Sequence, residues 1–219
     1  MAIDIVKMTL GPIQSNCYIV GDTNTNDAIV IDPGDSAHLI LQAVEQRGWA
    51  VREILATHAH FDHIMASADL KDATGAPFRL HRADEPLRRA MPEQVRQLVG
   101  LDVPPAPEPD GFLEAGDRIT VGAIALDVLF TPGHSPGHVS FVLASDQTVF
   151  CGDVLFAGSI GRTDLPGGDH ATLMESIATQ LLPLGDSFDV LPGHMQNTTI
   201  GHERTTNPFV LDYLSDRAG

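Results

Sequence analysis

The sequence predicts an α/β fold spanning residues 1–219, on two features of its patterning. The first is a repeated unit in which a short β-rich apolar run ends in a tight turn bearing Asp or His. Ile29-Val30-Ile31 precedes Asp32-Pro33-Gly34-Asp35, Val128-Leu129-Phe130 precedes Thr131-Pro132-Gly133-His134, Val149-Phe150-Cys151 precedes Gly152-Asp153, and Val190-Leu191 precedes Pro192-Gly193-His194. Such runs have the length and composition of buried strands. The Pro and Gly that follow stop them and turn the backbone sharply. The second feature is that segments with helical spacing and helix punctuation separate the runs. A chain of 219 residues, 43% of them hydrophobic, is large and apolar enough for one core, so a single domain over 1–219 is expected.

Taken in order, residues 3–32 read as short strands with a turn from Asp22 to Asn26. Asp35 or Ser36 can cap a helix that runs through Arg47 and ends at Gly48, with Leu39, Ile40, Ala43 and Val44 on its inner face. A strand at 51–56 follows. Residues 64–73 and 82–99 read as helices, with Pro92 as the point where the second would break. The segment from Asp102 to Gly111 holds four prolines and reads as a rigid, polar surface loop able to border a site. Strands are expected at 118–130, 138–143 and 147–151, and helices near 170–182 and 206–215. Neither an internal repeat nor a low-complexity tract is present.

The densest chemistry follows Ile54-Leu55-Ala56, where His58, His60, Asp62 and His63 fall within six residues. In an extended turn His58, His60 and Asp62 alternate to one side while His63 points elsewhere, which suggests two groups of ligands and two metals. A fold that gathers the other strand ends at the same edge adds His134, Asp153 and His194. Five imidazoles and two carboxylates suit a borderline divalent ion such as Zn²⁺, and also Fe or Mn. Thiolate-only sites and oxygen-only calcium sites are poor matches.

His-x-His-x-Asp-His at 58–63, Gly-His-Ser-Pro-Gly-His at 133–138, Cys-Gly-Asp at 151–153 and Pro-Gly-His at 192–194 together resemble the metallo-β-lactamase superfamily. Within it the chain is most similar to the glyoxalase II-like (hydroxyacylglutathione hydrolase-like) enzymes. Asn16-Cys17-Tyr18-Ile19-Val20, Ile31-Asp32-Pro33-Gly34-Asp35 and Gly161-Arg162-Thr163-Asp164 extend the likeness over nearly the whole chain. The resemblance implies a four-layered αββα sandwich with a dinuclear site at one edge of its two sheets. It implies that His58, His60 and His134 hold one metal and that Asp62, His63 and His194 hold the other, with Asp153 bridging. It further implies hydrolysis of a small thioester, S-D-lactoylglutathione or a similar acyl thioester, to acid plus thiol. Asp62 would then ligate a metal and orient a water that two cations acidify near neutral pH.

Two departures bear on the substrate. Glyoxalase II enzymes generally carry a C-terminal helical domain that grips glutathione, whereas 25 residues follow His194 here, so that module is expected to be missing. Shorter relatives usually continue past the last ligand with Gly-Pro, where this chain has Met195-Gln196-Asn197-Thr198. The same resemblance also accommodates a persulfide dioxygenase with one iron on His58, His134 and Asp153, and a lactonase or other ester hydrolase. A non-catalytic metal-binding protein is the alternative from another class.

Composition narrows the partners. A formal charge of −16 opposes a phosphate backbone, so nucleic acid is not expected. No apolar run approaches spanning length and Met1-Ala2-Ile3-Asp4-Ile5 lacks a basic region before an apolar one, so no membrane partner and a cytoplasmic location are expected. Cys17 and Cys151 read as buried thiols. His38, His81, His170 and His202 lack a ligand pattern, His138 reads as supporting a ligand rather than being one, and Arg162 reads either as binding an anionic substrate group or as pairing with Asp164 or Asp169 to order its loop.

Overall fold

A computed structural model describes residues 2–217. One six-stranded sheet holds β1 (Ile3–Leu10), β2 (Ser15–Asp22), β3 (Asp27–Ile31), β4 (Ala50–Leu55), β5 (Phe78–His81) and β6 (Gly111–Leu113) in chain order. The first three pair antiparallel through short turns, and β3 to β6 pair parallel. Parallel neighbours need long crossovers, and these are α1 (Ala37–Gln46), then α2 (Phe61–Ile64) with α3 (Ser67–Thr74), then α4 (Glu85–Val99). The second six-stranded sheet contains β7 (Arg118–Val121), β8 (Ile124–Phe130), β9 (Val139–Leu143), β10 (Thr148–Gly152), β13 (Asp189–Pro192) and β14 (Thr198–Thr199) in spatial order. Between β10 and β13 lie the small hairpin of β11 (Leu155–Phe156) and β12 (Ser159–Ile160) and helix α5 (His170–Ser176). Helices α6 (Ile200–Thr206) and α7 (Pro208–Asp216) follow β14.

Strand alternation sorts the core into three layers. On β2, Tyr18 and Val20 face the second sheet and pack with Phe141, Phe150 and Leu126, while Cys17 and Ile19 join Ile40, Leu70 and Met91 beneath α1, α3 and α4. On the second sheet, Val149, Cys151 and Val190 turn outward onto Leu173, Met174 and Val210 of α5 and α7. The result is two sheets face to face with helices on both outer surfaces, as the resemblance implies. Tyr18 and Phe150 meet edge-on with ring centroids 5.2 Å apart, and each fully buried ring or aliphatic chain contributes about 1.5–3 kcal/mol.

Several local expectations need correction. Helix α4 runs unbroken through Pro92, because Met91 and Val95 bury on either side of it and Arg88 ties the preceding turn to Glu85, Glu108 and the Ala106 carbonyl. That tie also holds the proline-rich loop down, with Ala106 in the core. On α1 the buried positions are Ala37, Ile40 and Val44, whereas Leu39 is exposed and Ala43 only half-buried. Ser36 makes no side-chain cap. The helix expected from 64 is two pieces that begin earlier, at Phe61. The α-helical part of the 170–182 segment stops at Ser176, and α6 was not anticipated.

Candidate metal centre

The ends of β4, β8, β10 and β13 and the start of α2 meet at one edge of the sandwich. Backbone bonds across the sheets close it: Val139 N–H donates to the Thr57 carbonyl (2.8 Å) and Asn16 N–H to the Gly193 carbonyl (2.7 Å). Tyr18 Oη adds a 2.7 Å bond to the Pro192 carbonyl. The turns are tight enough to demand glycine. A Cβ on Gly152, whose φ is +48°, would lie 2.4 Å from Thr57 Oγ1, and one on Gly193 would lie 2.2 Å from Asp153 Oδ1.

His58, His60 and His134 bring nitrogens within 4.8 Å of one another, and so do the ligand atoms of Asp62, His63 and His194. This differs from the simple alternation read in the sequence, which grouped Asp62 with His58 and His60. His60 is extended and precedes α2, so Asp62 and His63 lie on a helical turn and face His194 instead. Asp153 sits between the two groups. Its Oδ2 is 3.5 Å from both His134 Nε2 and His194 Nε2, and its Oδ1 is 3.6 Å from His63 Nε2.

Hydrogen bonds fix which nitrogen each imidazole turns inward. His63 Nδ1 donates to Asp32 Oδ2 (3.1 Å) and His134 Nδ1 to the Arg162 carbonyl (2.7 Å). Thr57 Oγ1 donates to Asp32 Oδ2 (2.7 Å) and so accepts from His58 Nδ1 (3.1 Å). Nε2 of these three rings then faces the centre, the orientation that metal-binding imidazoles adopt when the other ring nitrogen is anchored, whereas His60 turns its Nδ1 inward, 2.8 Å from His134 Nε2. Buried His58 Nε2, His63 Nε2 and Asp153 Oδ1 have no hydrogen-bond partner among the described residues. Orphaned ligand-type atoms in both groups and on the carboxylate between them fit bound cations, since buried polar atoms are otherwise paired.

The proton states divide the groups. Burial, reinforced by neighbouring imidazoles, lowers the pKa of His60 to about 4 and pushes His58 well down. His63 feels the same burial, but Asp62, Asp153 and Asp32 outweigh it and raise His63 to about 10. His194 is raised too, burial being outweighed by Asp62 and Asp153. Burial opposes ionisation of Asp62, yet His63 and His194 hold its carboxyl well below the usual carboxylate range.

His138 makes bonds that occupy both ring nitrogens. Its Nε2 accepts from Asp153 N–H (3.1 Å) and its Nδ1 meets Thr131 Oγ1 (3.0 Å), while the ring stacks on His58 at 5.0 Å. It therefore positions Asp153 and has no nitrogen left for an ion. Arg162 is exposed and pairs bidentately with Asp164 at 2.7 Å. Cys17 and Cys151 are buried thiols. Burial first, then Asp32, pushes Cys17 well up, and burial pushes Cys151 up to about 12.

Three contributors were not singled out from the sequence. Asp32 anchors His63 and Thr57, and only its place in a strand-end Asp-Pro-Gly turn hinted at it. Ser15 Oγ donates to Asp62 Oδ2 at 2.9 Å. Asp84 accepts from Ala59 N–H (3.0 Å), Ser135 Oγ (2.7 Å) and Gly137 N–H (2.6 Å), joining the two loops that carry His58, His60 and His134.

Fold and site together define a sandwich of the metallo-hydrolase class. A profile of the metallo-beta-lactamase superfamily matches residues 10–194. The chain is 39% identical over 212 residues to "Hydroxyacylglutathione hydrolase GloC" of Haemophilus influenzae, covering 96% of this chain and 98% of that one. Among solved structures, the BLEG-1 B3 metallo-beta-lactamase superposes with a TM-score of 0.89 at 38% identity, covering 94% and 99%. TTHA1623 in a di-iron-bound form gives 0.85 at 42% identity, covering 93% and 99%. The chain belongs to the metallo-beta-lactamase superfamily.

Proposed function

We propose that the protein is a dinuclear metal-dependent hydrolase of small thioesters, glyoxalase II-like, converting an acyl thioester such as S-D-lactoylglutathione to acid plus thiol. His58, His60 and His134 would hold one divalent ion, Asp62, His63 and His194 a second, and Asp153 would bridge. The observation that carries this reading is the convergence of seven ligand-type side chains with three buried, unpaired ligand atoms. The likeness to a hydroxyacylglutathione hydrolase along almost the full length supports the thioester class. Zinc is the favoured metal for five imidazoles and two carboxylates; the di-iron form of TTHA1623 makes iron the principal rival.

When bound, two such ions lower the pKa of a shared water and polarise the scissile carbonyl. The chain's own residues do the rest. Asp62, ionised and fixed by Ser15, orients the attacking water and accepts its hydrogen bond. His138 holds Asp153 through its backbone N–H, and Asp32 holds His63, so these two candidate ligands are fixed in orientation. The buried cysteines are not available as thiolates near neutral pH, which leaves no protein nucleophile of that kind in the mechanism.

The test pairs elemental analysis with turnover. About two divalent ions per chain are expected, with thioester hydrolysis by zinc- or manganese-loaded protein and a strong loss of kcat in Asp62→Ala. If those forms fail on every small thioester while an iron-loaded form consumes oxygen with glutathione persulfide, a dioxygenase replaces this reading.

A further inference from the structure

Beside Asp62 a cavity of ≈ 90 Å³ opens between the β1–β2 turn, α2 and the end of α4. Leu10 and Ile13 form one side, Met65 the floor next to α2, and Val95, Val99 and Leu101 the side contributed by α4 and the residues after it. Its ionisable lining residues are Asp62, whose carboxylate is already held by Ser15 and His194, and Asp35, which accepts from Ser36 Oγ. Among the described residues no lysine, arginine or histidine lines it. At its mouth Ile13 is 44% exposed, Val99 38% and Leu101 56%. Large aliphatic side chains from two separate segments thus stay open to water around one concavity whose lining includes Asp62 of the candidate centre. That combination of apolar walls and a few convergent polar groups marks a ligand pocket.

The chemistry of the lining says what it takes. Carboxylates or ammonium groups of a bulky polar carrier would find no counter-charge among these walls except two acids, and burying them there would cost their hydration. An apolar cavity of about 150 Å³ accepts a benzene, so this smaller one suits a short aliphatic group of about three or four carbons. We propose that the cavity is a specificity pocket for an uncharged, short aliphatic group attached next to the scissile bond. The proposal rests on the hydrolase reading above. The group belongs either to the acyl half of the substrate or to its departing thiol or alcohol, and the test separates the two.

The experiment measures kcat/KM of metal-loaded protein in two series: straight-chain acyl thioesters of one thiol, acetyl to hexanoyl, and acetyl thioesters of straight-chain thiols of the same lengths. One series is expected to gain about 10-fold or more per methylene until the pocket fills and then to fall. In Val99→Asp and Leu101→Ala that ratio should collapse toward unity. A ratio between substrates does not depend on how much of a variant folds. In parallel, binding of straight-chain methyl ketones, which cannot be hydrolysed, is followed through the methyl NMR signals of Val95, Val99 and Leu101, with the same length optimum expected. Hydrolysis without length preference in either series overturns the pocket and leaves the hydrolase standing. Length-dependent ketone binding without any turnover keeps the pocket and removes the hydrolase. Silence of those methyl signals at every ketone length, together with flat kinetics or none, overturns the proposal.

Discussion

Removing the Asp84 carboxylate should weaken the fold and the centre together. The side chain is fully buried and is the acceptor for Ala59 N–H, Gly137 N–H and Ser135 Oγ. In Asp84→Ala both backbone donors lose their partner in a place water does not reach, at about 1–3 kcal/mol each. The serine can rotate to another acceptor. Part of the loss is recovered, because burial raises the Asp84 pKa despite its three donors, so the ionised group itself resides there at a cost. The net expectation is a loss of about 2–4 kcal/mol, or about 4–16 °C in Tm for a chain of this size. Asp84→Asn should fall between, since its carbonyl can serve one donor while its amide faces another. The bonded loops carry His58, His60 and His134, so metal affinity should also drop by about 10–100-fold, as when a ligand's support is removed. Denaturant unfolding of metal-free and metal-loaded protein, with metal titration, measures both. Unfolding within about 0.5 kcal/mol of the parent and unchanged affinity would refute the claim that this carboxylate joins the two loops.

Two further outcomes follow from the proton states and the backbone. In the metal-free protein His63 and His194 have raised pKa values, so the stability they add is complete below about 6.5 and is lost as pH rises, for His63 through about 10. His58, His60 and His138 are lowered, so their contribution is present above about 6.5 and is lost as pH falls, for His60 through about 4. Metal-free stability should therefore peak near pH 6.5, with an alkaline slope of about 1.4 kcal/mol per pH unit for each proton retained. Metal loading should release about one to two protons at pH 7 and flatten that slope; an alkaline limb that persists in the loaded protein would contradict it. Met195, directly after His194, has a φ of +66°, and its side chain is half exposed. Met195→Gly should relieve about 1–2 kcal/mol of left-handed strain against about 0.4–1 kcal/mol of added chain entropy, so Tm should hold or rise by a few degrees. A clear fall in a thermal scan would show that the methionine side chain has a packing role.

Where the sequence pattern was local, it was legible. A β-rich run followed by Pro-Gly-His or Gly-Asp places a candidate ligand at a strand's C-terminal end, and His134, Asp153 and His194 lie there. The alternation at 58–63 failed at Asp62 because α2 starts at Phe61 and replaces a two-residue period with a helical one. Met195 shows a similar limit: the departure from Gly-Pro is visible in sequence, yet the turn survives because the Met195 carbonyl accepts from Lys7 Nζ and Asn16 Nδ2, which lie on β1 and β2.

The residues that escaped the sequence share one property: their partners are brought to them by the fold. Asp84 immediately precedes α4, where a helix-start rule assigns it a capping role, but its oxygens accept no bond from that helix. They turn instead to Ala59, 25 positions away, and Gly137, 53 away. Asp32 reaches Thr57 and His63 across the parallel pairing of β3 with β4. Ser15, at the start of β2, reaches Asp62, 47 positions away. Each of them acts on a candidate ligand or on the loop that carries one. A motif can therefore name the side chains gathered at the candidate centre, because strand ends and turns are local. Except for His138, read from its place in the Gly-His-Ser-Pro-Gly-His motif, the side chains that anchor them become visible only in the folded chain.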